Sequence, residues 1–440
     1  MFKKLKSFLL QNTSVGQTIT KNAVWLLIGQ LTSRLFRAAI VVFAARTLGV
    51  ASWGAFSYAL GVVTFLTIFS DIGINALITK EATRNPELKD KYLSTALFIK
   101  IGLVLIFFFG IISVFPNLSK IEEATFIMPI LIFVFVFDTL RDLGSTLARA
   151  LEKMQIEAGI QIFTNFAIVA LGFILLQFQA TGRTLASAYA LGSGLGFIAI
   201  AYTLRAHFKN LLRNFRRDLI KPIFTTAWPF GLLGLLGTIM LNTDIIMLGF
   251  LRSPEEVGYY SAAQKIIQLL YVFPTLFSVS LFPAMARLIK TNPLYVKAML
   301  ERILALVILC SIPIAVLGII FAPTIVGVLF GAQYLPAILT FQILILSVLI
   351  VYPGGILGYA IFAYDEQKNF TVFVIVAAVA NIGFNLLLIP RFGIEGAAAA
   401  TIATQIITNA LIWRKIKKIT SLAVWPQIKN YLLTLKSQIS

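Results

Sequence analysis

Charged side chains are scarce in this sequence. Only 12% of its 440 residues are Asp, Glu, Lys or Arg, whereas an average soluble domain has about 25%. Hydrophobic residues make up 59% of the chain, and the mean hydropathy is +0.90. So few charges could not cover the surface of a soluble fold of this length. The composition therefore favours an integral membrane protein.

Cysteine and histidine are nearly absent as well. The single Cys310 lies in an apolar run, and the single His207 lies in a basic loop. These counts exclude a disulfide framework and a cysteine metal site, and we predict no metal and no cofactor. A glycine-rich Walker loop is also missing, so we expect no ATPase activity in the chain itself.

Acidic residues are outnumbered by basic ones, 18 against 37, which gives a formal net charge of +19. In a soluble protein such an excess would suggest nucleic-acid binding. Here the basic residues lie between long apolar runs rather than on a polar domain. We therefore predict no nucleic-acid partner.

Apolar runs dominate the rest of the chain. Each offers roughly 18 to 28 residues, enough for a helix across about 30 Å of hydrocarbon. We predict an all-α membrane protein of about twelve transmembrane helices. The runs begin near Asn22, Gly54, Leu93, Ala124, Gly159, Leu185, Thr225, Gly258, Ile303, Leu335, Phe370 and Gly396.

Lysine and arginine concentrate in alternate connecting segments. Most of them fall on one side of the predicted spans, and the other side holds Arg46, Lys120, Arg183, Arg252 and Arg391. Because cytoplasmic loops carry the excess of positive charge, we predict an even number of spans with both termini in the cytoplasm.

Both ends of the chain carry apolar residues at helical spacing beside lysines. At the N-terminus these are Phe2, Leu5 and Leu9, and the tail 419–440 has a similar pattern. Such segments are typical of short helices that lie in the membrane interface. We predict an amphipathic segment at each end.

Two halves of the sequence resemble each other on either side of the basic loop from Arg205 to Lys221. For example, Ala150-Leu151-Glu152-Lys153 has a counterpart in Ala363-Tyr364-Asp365-Glu366. The offset is about 200 to 213 residues, although chance similarity between helix ends is an alternative. We predict two pseudo-symmetric six-helix lobes, 1–210 and 211–418, followed by a basic amphipathic tail, 419–440. Such lobes are typical of transporters that open to each side of the membrane in turn.

Charges inside spans are the best candidates for a functional site, because each costs several kcal/mol unless it is paired or faces water. Arg34 and Arg37 share one face of the first helix, and guanidinium groups suit phosphate and carboxylate oxygens. We predict that both bind an anionic substrate group. The alternatives are pairing with acids on other helices and snorkelling of the side chains to the membrane interface.

Further charges lie in the second, fourth, seventh and eighth helices. We predict ion-coupling or gating roles for Asp71 and for Asp138, Arg141 and Asp142, although the last three share a face at i, i+3 and i+4 and could simply neutralise one another. For Asp71 the alternative is a helix-end partner for a loop base. We also predict two substrate-binding residues that could instead pair as a gate, Asp244 and Lys265.

Several motifs, taken in order, resemble the polysaccharide-biosynthesis flippases of the multidrug/oligosaccharidyl-lipid/polysaccharide (MOP) exporter superfamily. The resemblance covers about residues 15 to 415. The motifs are Asn22-Ala23-Val24-Trp25, Ser33-Arg34-Leu35, Ala45-Arg46-Thr47-Leu48-Gly49, Gly54-Ala55-Phe56-Ser57, Asp71-Ile72-Gly73, Asp244, Gly258-Tyr259-Tyr260-Ser261-Ala262-Ala263 and Gly393-Ile394-Glu395-Gly396-Ala397-Ala398.

The resemblance implies a MATE-like fold and a flippase for an undecaprenyl-diphosphate-linked oligosaccharide, acting in surface polysaccharide (O-antigen, lipopolysaccharide) biosynthesis. It implies alternating access with ion coupling in a bacterial or archaeal cytoplasmic membrane, and places Arg34 near the diphosphate or acidic sugars. The implied partners are the lipid-linked oligosaccharide, membrane lipids, and a polysaccharide polymerase and glycosyltransferases. The lipid II flippase branch of the superfamily has fourteen helices, whereas the tail after Arg414 is too polar for two more spans. This difference argues against a peptidoglycan precursor as the substrate.

Two other classes of protein remain as alternatives. A drug/cation antiporter of the same superfamily would need acidic and aromatic residues at its site, whereas Arg34 and Arg37 favour an anionic substrate. A membrane enzyme would need catalytic groups in sizeable polar loops, and no external loop in this sequence is long. We therefore predict a transporter and not an enzyme.

Overall fold

A computed structural model describes residues 15–84, 86–208 and 213–439. The amphipathic segment predicted around Phe2, Leu5 and Leu9 lies outside the described residues. The described residues form helices joined by short turns, without a strand. The chain divides into two compact units, Met1–Gly258 and Tyr259–Ser440.

Long helices make up the first unit. In chain order they are α1 (Val15–Leu48), α2 (Val50–Asp71), α3 (Ile74–Arg84), α4 (Lys89–Leu118), α5 (Glu122–Ala150), α6 (Met154–Phe178), α7 (Gly182–Thr203), the short α8 (Arg205–Phe208) and α9 (Ile220–Leu251). Two single turns of 3₁₀-helix, Pro86–Leu88 and Arg217–Leu219, precede α4 and α9.

Breaks between helices are more frequent in the second unit. Its helices are α10 (Pro254–Leu270), which begins just before the division, α11 (Val272–Thr291), α12 (Pro293–Ile320), α13 (Ala322–Phe330), α14 (Ile338–Ile345), α15 (Val348–Ala363), α16 (Gln367–Thr420) and α17 (Val424–Ile439), with a 3₁₀-helix at Ala332–Ala337. Within α16, Gly393 has φ 57°, so the 54 residues are two helices that meet at a kink.

Membrane-spanning helices are numerous, as predicted. Nine helices in the described part of the chain are long and apolar enough to cross a bilayer, or ten if Ala332–Ile345 and Val348–Ala363, bent by 42°, form one span. The chain is therefore a multi-pass all-α membrane protein. The predicted number of about twelve spans stays a prediction, partly because α16 enters the count as one helix although Gly393 divides it. The predicted lobe boundaries also stay a prediction.

The turns at Ala150–Lys153 and Ala363–Glu366 follow the same backbone path. In both, three consecutive N–H groups donate to carbonyls four, three and five residues earlier, at distances of 2.9–3.2 Å. In both, the third residue is left-handed, with φ 55° at Glu152 and φ 59° at Asp365. The shared geometry supports the internal repeat that the sequence suggests.

Close packing of α2 against α9 fixes the end of α2. The chain turns at Ile72 and Gly73, and Gly73 has φ +79°, a conformation that favours glycine. A Cβ atom at this position would lie 2.3 Å from the Ala227 carbonyl oxygen and 2.4 Å from the Gly231 nitrogen. Only glycine fits this contact, which holds the neighbouring Asp71 in place.

A buried aliphatic cluster lies beside this turn. It includes side chains from α3, α4, α5, α6, α7 and α9, among them Ile78, Leu93, Leu147, Ile160, Ile200 and Ile223. Because packed interiors resist displacement, the cluster provides a rigid environment for the charged residues described below.

Candidate functional site

One of the two predicted arginines of α1, Arg37, lies within electrostatic range of charged residues of α5 in the same unit. Arg37 is exposed and Arg34 is half-buried. The Arg37 guanidinium is close enough to interact electrostatically with Arg34, Arg141 and Asp138, and with the Tyr189 hydroxyl of α7. The structure therefore brings Arg37 together with part of the predicted ion-coupling set, and Arg34 lies beside Arg37.

Asp138, Arg141 and Asp142 of α5 form a local ion-pair group. The Arg141 guanidinium lies 2.8 Å from a carboxylate oxygen of Asp138 and 3.7 Å from one of Asp142. The helical spacing i, i+3 and i+4 puts these side chains on one face. The pairing matches the alternative in which these residues neutralise one another, and a relay role stays a prediction.

Asp71 pairs with a lysine inside a span rather than with a loop base. Its Oδ1 lies 2.8 Å from Lys100 Nζ in α4, and the same oxygen accepts the Asn75 backbone N–H at 3.1 Å. The Lys100 side chain is only 1% exposed, whereas Asp71 is 22% exposed. A buried ammonium needs such a partner, because its desolvation is costly.

A buried hydrogen bond and further electrostatic contacts connect these two groups. Ser70 Oγ lies 2.8 Å from Thr139 Oγ1, which joins the end of α2 to the middle of α5. Asp142 interacts electrostatically with Lys100 as well as with Arg141. We call the resulting set of seven side chains the charge network; its members are Arg34, Arg37, Asp71, Lys100, Asp138, Arg141 and Asp142.

The charge network has one more basic than acidic member, and its excess positive charge lies on α1. Of the residues that the structure describes, none offers a carboxylate within 4.0 Å of Arg34 or Arg37, although Asp138 lies within electrostatic range of Arg37. Their guanidinium groups therefore keep hydrogen-bond donors available for an anionic ligand. Phosphate and carboxylate oxygens match the planar arrangement of those donors.

Sequence reasoning missed Lys100, although it carried a signal. Lys100 is the only charged residue between Lys91 and Lys120, and an ionisable side chain inside a span marks a functional site or a partner. Its partner Asp71 lies 29 residues away in the sequence. Helical spacing relates only residues a few positions apart, so it could not supply this pairing.

Ion pairs also clamp the two equivalent turns, and the sequence did not predict them. In the first unit Arg149 Nε donates to Glu157 Oε2 at 2.8 Å, and a second guanidinium nitrogen contacts the other carboxylate oxygen. In the second unit Lys415 Nζ lies 2.9 Å from Glu366 Oε1. Hydrogen bonds from Lys415 and Asn369 hold the pKa of Glu366 below its usual range.

The remaining predicted pair, Asp244 and Lys265, is divided between the two units. Asp244 is buried in α9 of the first unit, with 1% of its surface exposed. Lys265 is half-buried in α10 and belongs to the second unit. Their substrate-binding role and their pairing as a gate stay predictions.

The second unit contains a cluster of uncharged polar side chains at two helix breaks. Tyr271, between α10 and α11, has its hydroxyl 2.5 Å from Ser347 Oγ, between α14 and α15. Gln405 of α16 donates to the same Tyr271 hydroxyl at 3.2 Å, and Tyr352 donates to the Leu270 carbonyl at 3.0 Å. The bond from Tyr352 satisfies a backbone carbonyl at the first break, as side chains commonly do where membrane helices are interrupted.

Metal ligands do not gather in the part of the chain that the structure describes. It holds no group of three or more His, Cys, Asp and Glu side chains that could bind a metal ion. Cys310 is exposed and free.

The family model described as polysaccharide biosynthesis protein matches residues 19–289, well over half of the chain. The chain belongs to this family. A second family model, MatE, matches residues 229–387 of the chain. The resemblance drawn from the sequence motifs is thereby confirmed.

Two relatives match most of the chain. A putative O-antigen transporter of Shigella flexneri is 22% identical over 411 residues, which is 90% of this chain and 96% of that protein. A probable low-salt glycan biosynthesis flippase of Haloferax volcanii is 22% identical over 384 residues, or 84% and 78% of the two chains. Both are named as transporters rather than as enzymes, in line with our prediction.

A solved structure shares the fold. The inward closed conformation of the lipid II flippase MurJ matches with a TM-score of 0.73 at 18% identity, covering 89% of this chain and 87% of MurJ. The match shows a common fold and confirms the predicted fold class.

Proposed function

We propose that this protein is a flippase for a lipid-linked oligosaccharide whose head group is anionic. Membership of the polysaccharide biosynthesis family supports the class of substrate. Relatives named O-antigen transporter and glycan biosynthesis flippase support a transport function. An undecaprenyl-diphosphate carrier supplies the negative charge in this proposal.

A flippase is needed because an oligosaccharide does not cross hydrocarbon unaided. Each buried hydroxyl without a hydrogen-bond partner costs several kcal/mol, and a diphosphate adds the much larger cost of an uncompensated charge. A polar path through the protein replaces the lost water bonds. The lipid tail can stay in the bilayer throughout.

The observation that carries the proposal is the excess of positive charge on α1. Arg34 and Arg37 lie within the span Thr20–Leu48, and the α5 group of Asp138, Arg141 and Asp142 offers only one net negative charge against their two positive charges. Two guanidinium groups at membrane depth are costly without an anion to face. A diphosphate provides that anion, and its oxygens can accept two parallel hydrogen bonds from each guanidinium.

Substitution of either arginine tests this assignment. One charge-assisted hydrogen bond contributes about 1.5–3 kcal/mol, which corresponds to about 10- to 100-fold in affinity. We expect R34A and R37A to slow transbilayer movement of an undecaprenyl-diphosphate-linked oligosaccharide in proteoliposomes by about this factor at subsaturating substrate. Accessibility of the sugar to an added glycosidase measures the movement.

Arg217→Ala is the matched control, because Arg217 is exposed in the same unit and lies outside the charge network. We expect this variant to flip at the wild-type rate. Wild-type rates in both α1 variants, with protein amounts equal, would remove these arginines from the mechanism.

We further propose that movement is coupled to an ion gradient through Asp71, Asp138 and Asp142. Carboxylates at membrane depth are typical of proton and sodium relays, and Asp71 keeps 22% of its side chain exposed despite its pairing with Lys100. The same proposal includes alternating access and a location in the cytoplasmic membrane, with both termini in the cytoplasm. It also includes cooperation with a polysaccharide polymerase and glycosyltransferases. A drug/cation antiporter is disfavoured, because the charge network is basic.

A further inference from the structure

The tail helix α17 packs through one of its faces against the rest of the second unit. Its start is fixed by the buried Leu422 and Val424, each 5% exposed. Ile428 and Tyr431 pack against the same cluster, which includes residues of α12 and α16. The spacing of Val424, Ile428 and Tyr431 at i, i+4 and i+7 is that of a single helix face.

A buried carboxylate holds the entry to α17. The α16 helix ends at Thr420, and Ser421 reverses the chain with a left-handed φ of 53°. The Ala423 backbone N–H then donates to Glu301 Oε1 at 2.8 Å, and Glu301 is 8% exposed. Because α17 begins four residues after a membrane-spanning helix ends, it starts at the level where that span leaves the hydrocarbon.

The exposed side of α17 carries large apolar side chains. Trp425 is 73% exposed, Leu432 50% and Leu433 56%. Trp425 and Leu432 lie seven residues apart, so they share a helix face. In water this stripe would be unfavourable, whereas Trp and Leu side chains at the edge of a span are stabilised by the interfacial region of a bilayer.

Lysines accompany this apolar stripe. Lys429 is exposed and lies four residues from Trp425 on the same flank, and Lys417 and Lys418 are exposed on the last turn of α16. Acidic residues are absent from the whole stretch between Glu395 and the end of the sequence. An apolar stripe bordered by lysines alone is complementary to a surface that offers both hydrocarbon and negative charge, which is an anionic lipid leaflet.

We propose that α17 and the end of α16 form a binding surface for anionic membrane lipid, with Trp425 and Leu432 among the acyl chains and the three lysines at the phosphates. A soluble phosphate compound would satisfy the lysines and leave the apolar stripe in water, so the bilayer is the occupant. This surface is separate from the charge network and does not depend on which substrate is transported.

Spin labels on two flanks of α17 test the geometry. Full-length L432C and N430C, each in a Cys310→Ser background, are labelled with a nitroxide. They are reconstituted into vesicles of phosphatidylcholine alone or of phosphatidylcholine with about 30 mol% phosphatidylglycerol, an anionic lipid. Asn430 is the matched position, because it is exposed on the other flank. In the anionic vesicles we expect the label at 432 to collide more with oxygen than with a soluble nickel chelate, and the label at 430 to show the reverse.

Charge removal tests the lipid preference. K417Q/K418Q/K429Q should abolish the difference in label depth at 432 between the two compositions, whereas K120Q/K221Q/K290Q, which removes three exposed lysines elsewhere, should preserve it. A label at Trp425→Cys provides a second probe of the stripe if L432C does not fold. The proposal fails if the 432 and 425 labels stay nickel-accessible, if depth is independent of lipid charge, or if both reagents are excluded because a second copy covers the stripe in a dimer.

Discussion

At the scale of single residues, the most consequential contact is the ion pair between Lys100 and Asp71. Lys100 is almost fully buried, so removal of its partner would leave an uncompensated charge in a region of low dielectric. Breaking one side of a buried pair costs about 3–5 kcal/mol, whereas replacing both sides by neutral groups is often tolerated. This asymmetry separates a structural role from a role in transport.

We expect D71N to lower the thermal stability of the detergent-solubilised protein, because Lys100 loses its counter-charge. The double variant D71N/K100M should recover most of that stability. If the pair takes part in ion coupling, the double variant will fold and still fail to respond to an imposed proton or sodium gradient in a flipping assay. Normal gradient-driven transport by the double variant would reduce the pair to a structural element.

The sequence was sufficient to find Arg34, Arg37 and the α5 group, because charges are rare in apolar runs and helical spacing relates near neighbours. It was not sufficient to find which of them meet. The approach of α1 to α5, and of Asp71 to Lys100, depends on tertiary packing between segments far apart in the chain. Lys100 could have been selected on its own, although its pairing with Asp71 could not.

At the scale of helices, the contact between α2 and α9 depends on the absence of a side chain at Gly73. Its backbone is left-handed, and carbonyl and amide groups of α9 occupy the space where a Cβ would lie. Strain in this conformation costs about 1–2 kcal/mol for other residues, and overpacking adds about 1–3 kcal/mol.

We therefore expect G73A to destabilise the protein by about 2–5 kcal/mol and to lower its melting temperature in detergent. Gly102→Ala is the control, because a Cβ at Gly102 of α4 meets nothing within 4 Å and alanine favours the helix. Fluorescence-detected thermal unfolding of the two variants provides the comparison. Equal melting temperatures would contradict the close approach at this turn.

Helix breaks were harder to predict than helices. Long apolar runs identify spans by length alone. The runs predicted to begin near Leu93, Ala124 and Gly159 correspond to the helices α4, α5 and α6. The kink at Gly393 falls between the apolar runs predicted to begin near Phe370 and Gly396, so hydropathy does reveal it. The interruptions at Tyr271 and Ser347 fall inside runs that remain apolar, so hydropathy does not reveal them. They depend on hydrogen bonds between distant segments, such as the one between Tyr271 and Ser347.

At the scale of the whole molecule, the unequal distribution of basic residues predicts how the chain is oriented in the membrane. The loop around Lys120 and the loop around Ala180 belong to the side with few basic residues, and the segments around Arg213 and Ser421 belong to the basic side. The positive-inside rule assigns the basic side to the cytoplasm.

Single cysteines in a Cys310→Ser background test this orientation. In intact cells we expect a membrane-impermeant maleimide to label K120C and A180C, and to label R213C and S421C only after the membrane is opened. The four positions are exposed, so a failure to react reflects the side of the membrane. Labelling of all four in intact cells, or the reverse pattern, would show that the predicted number of spans or their orientation is wrong.

The matching turns after α5 and α15 have a consequence for the history of the molecule. A duplicated and fused ancestral gene, as the predicted repeat implies, would start with two identical copies of this turn. On this prediction both copies retain its backbone path while their clamping ion pairs differ. The copies would also have specialised, because the first unit holds the charge network and the second holds hydroxyls and amides around Tyr271. Such a division of labour is open only to a fused protein, since a homodimer of the ancestor must place every substitution in both halves at once.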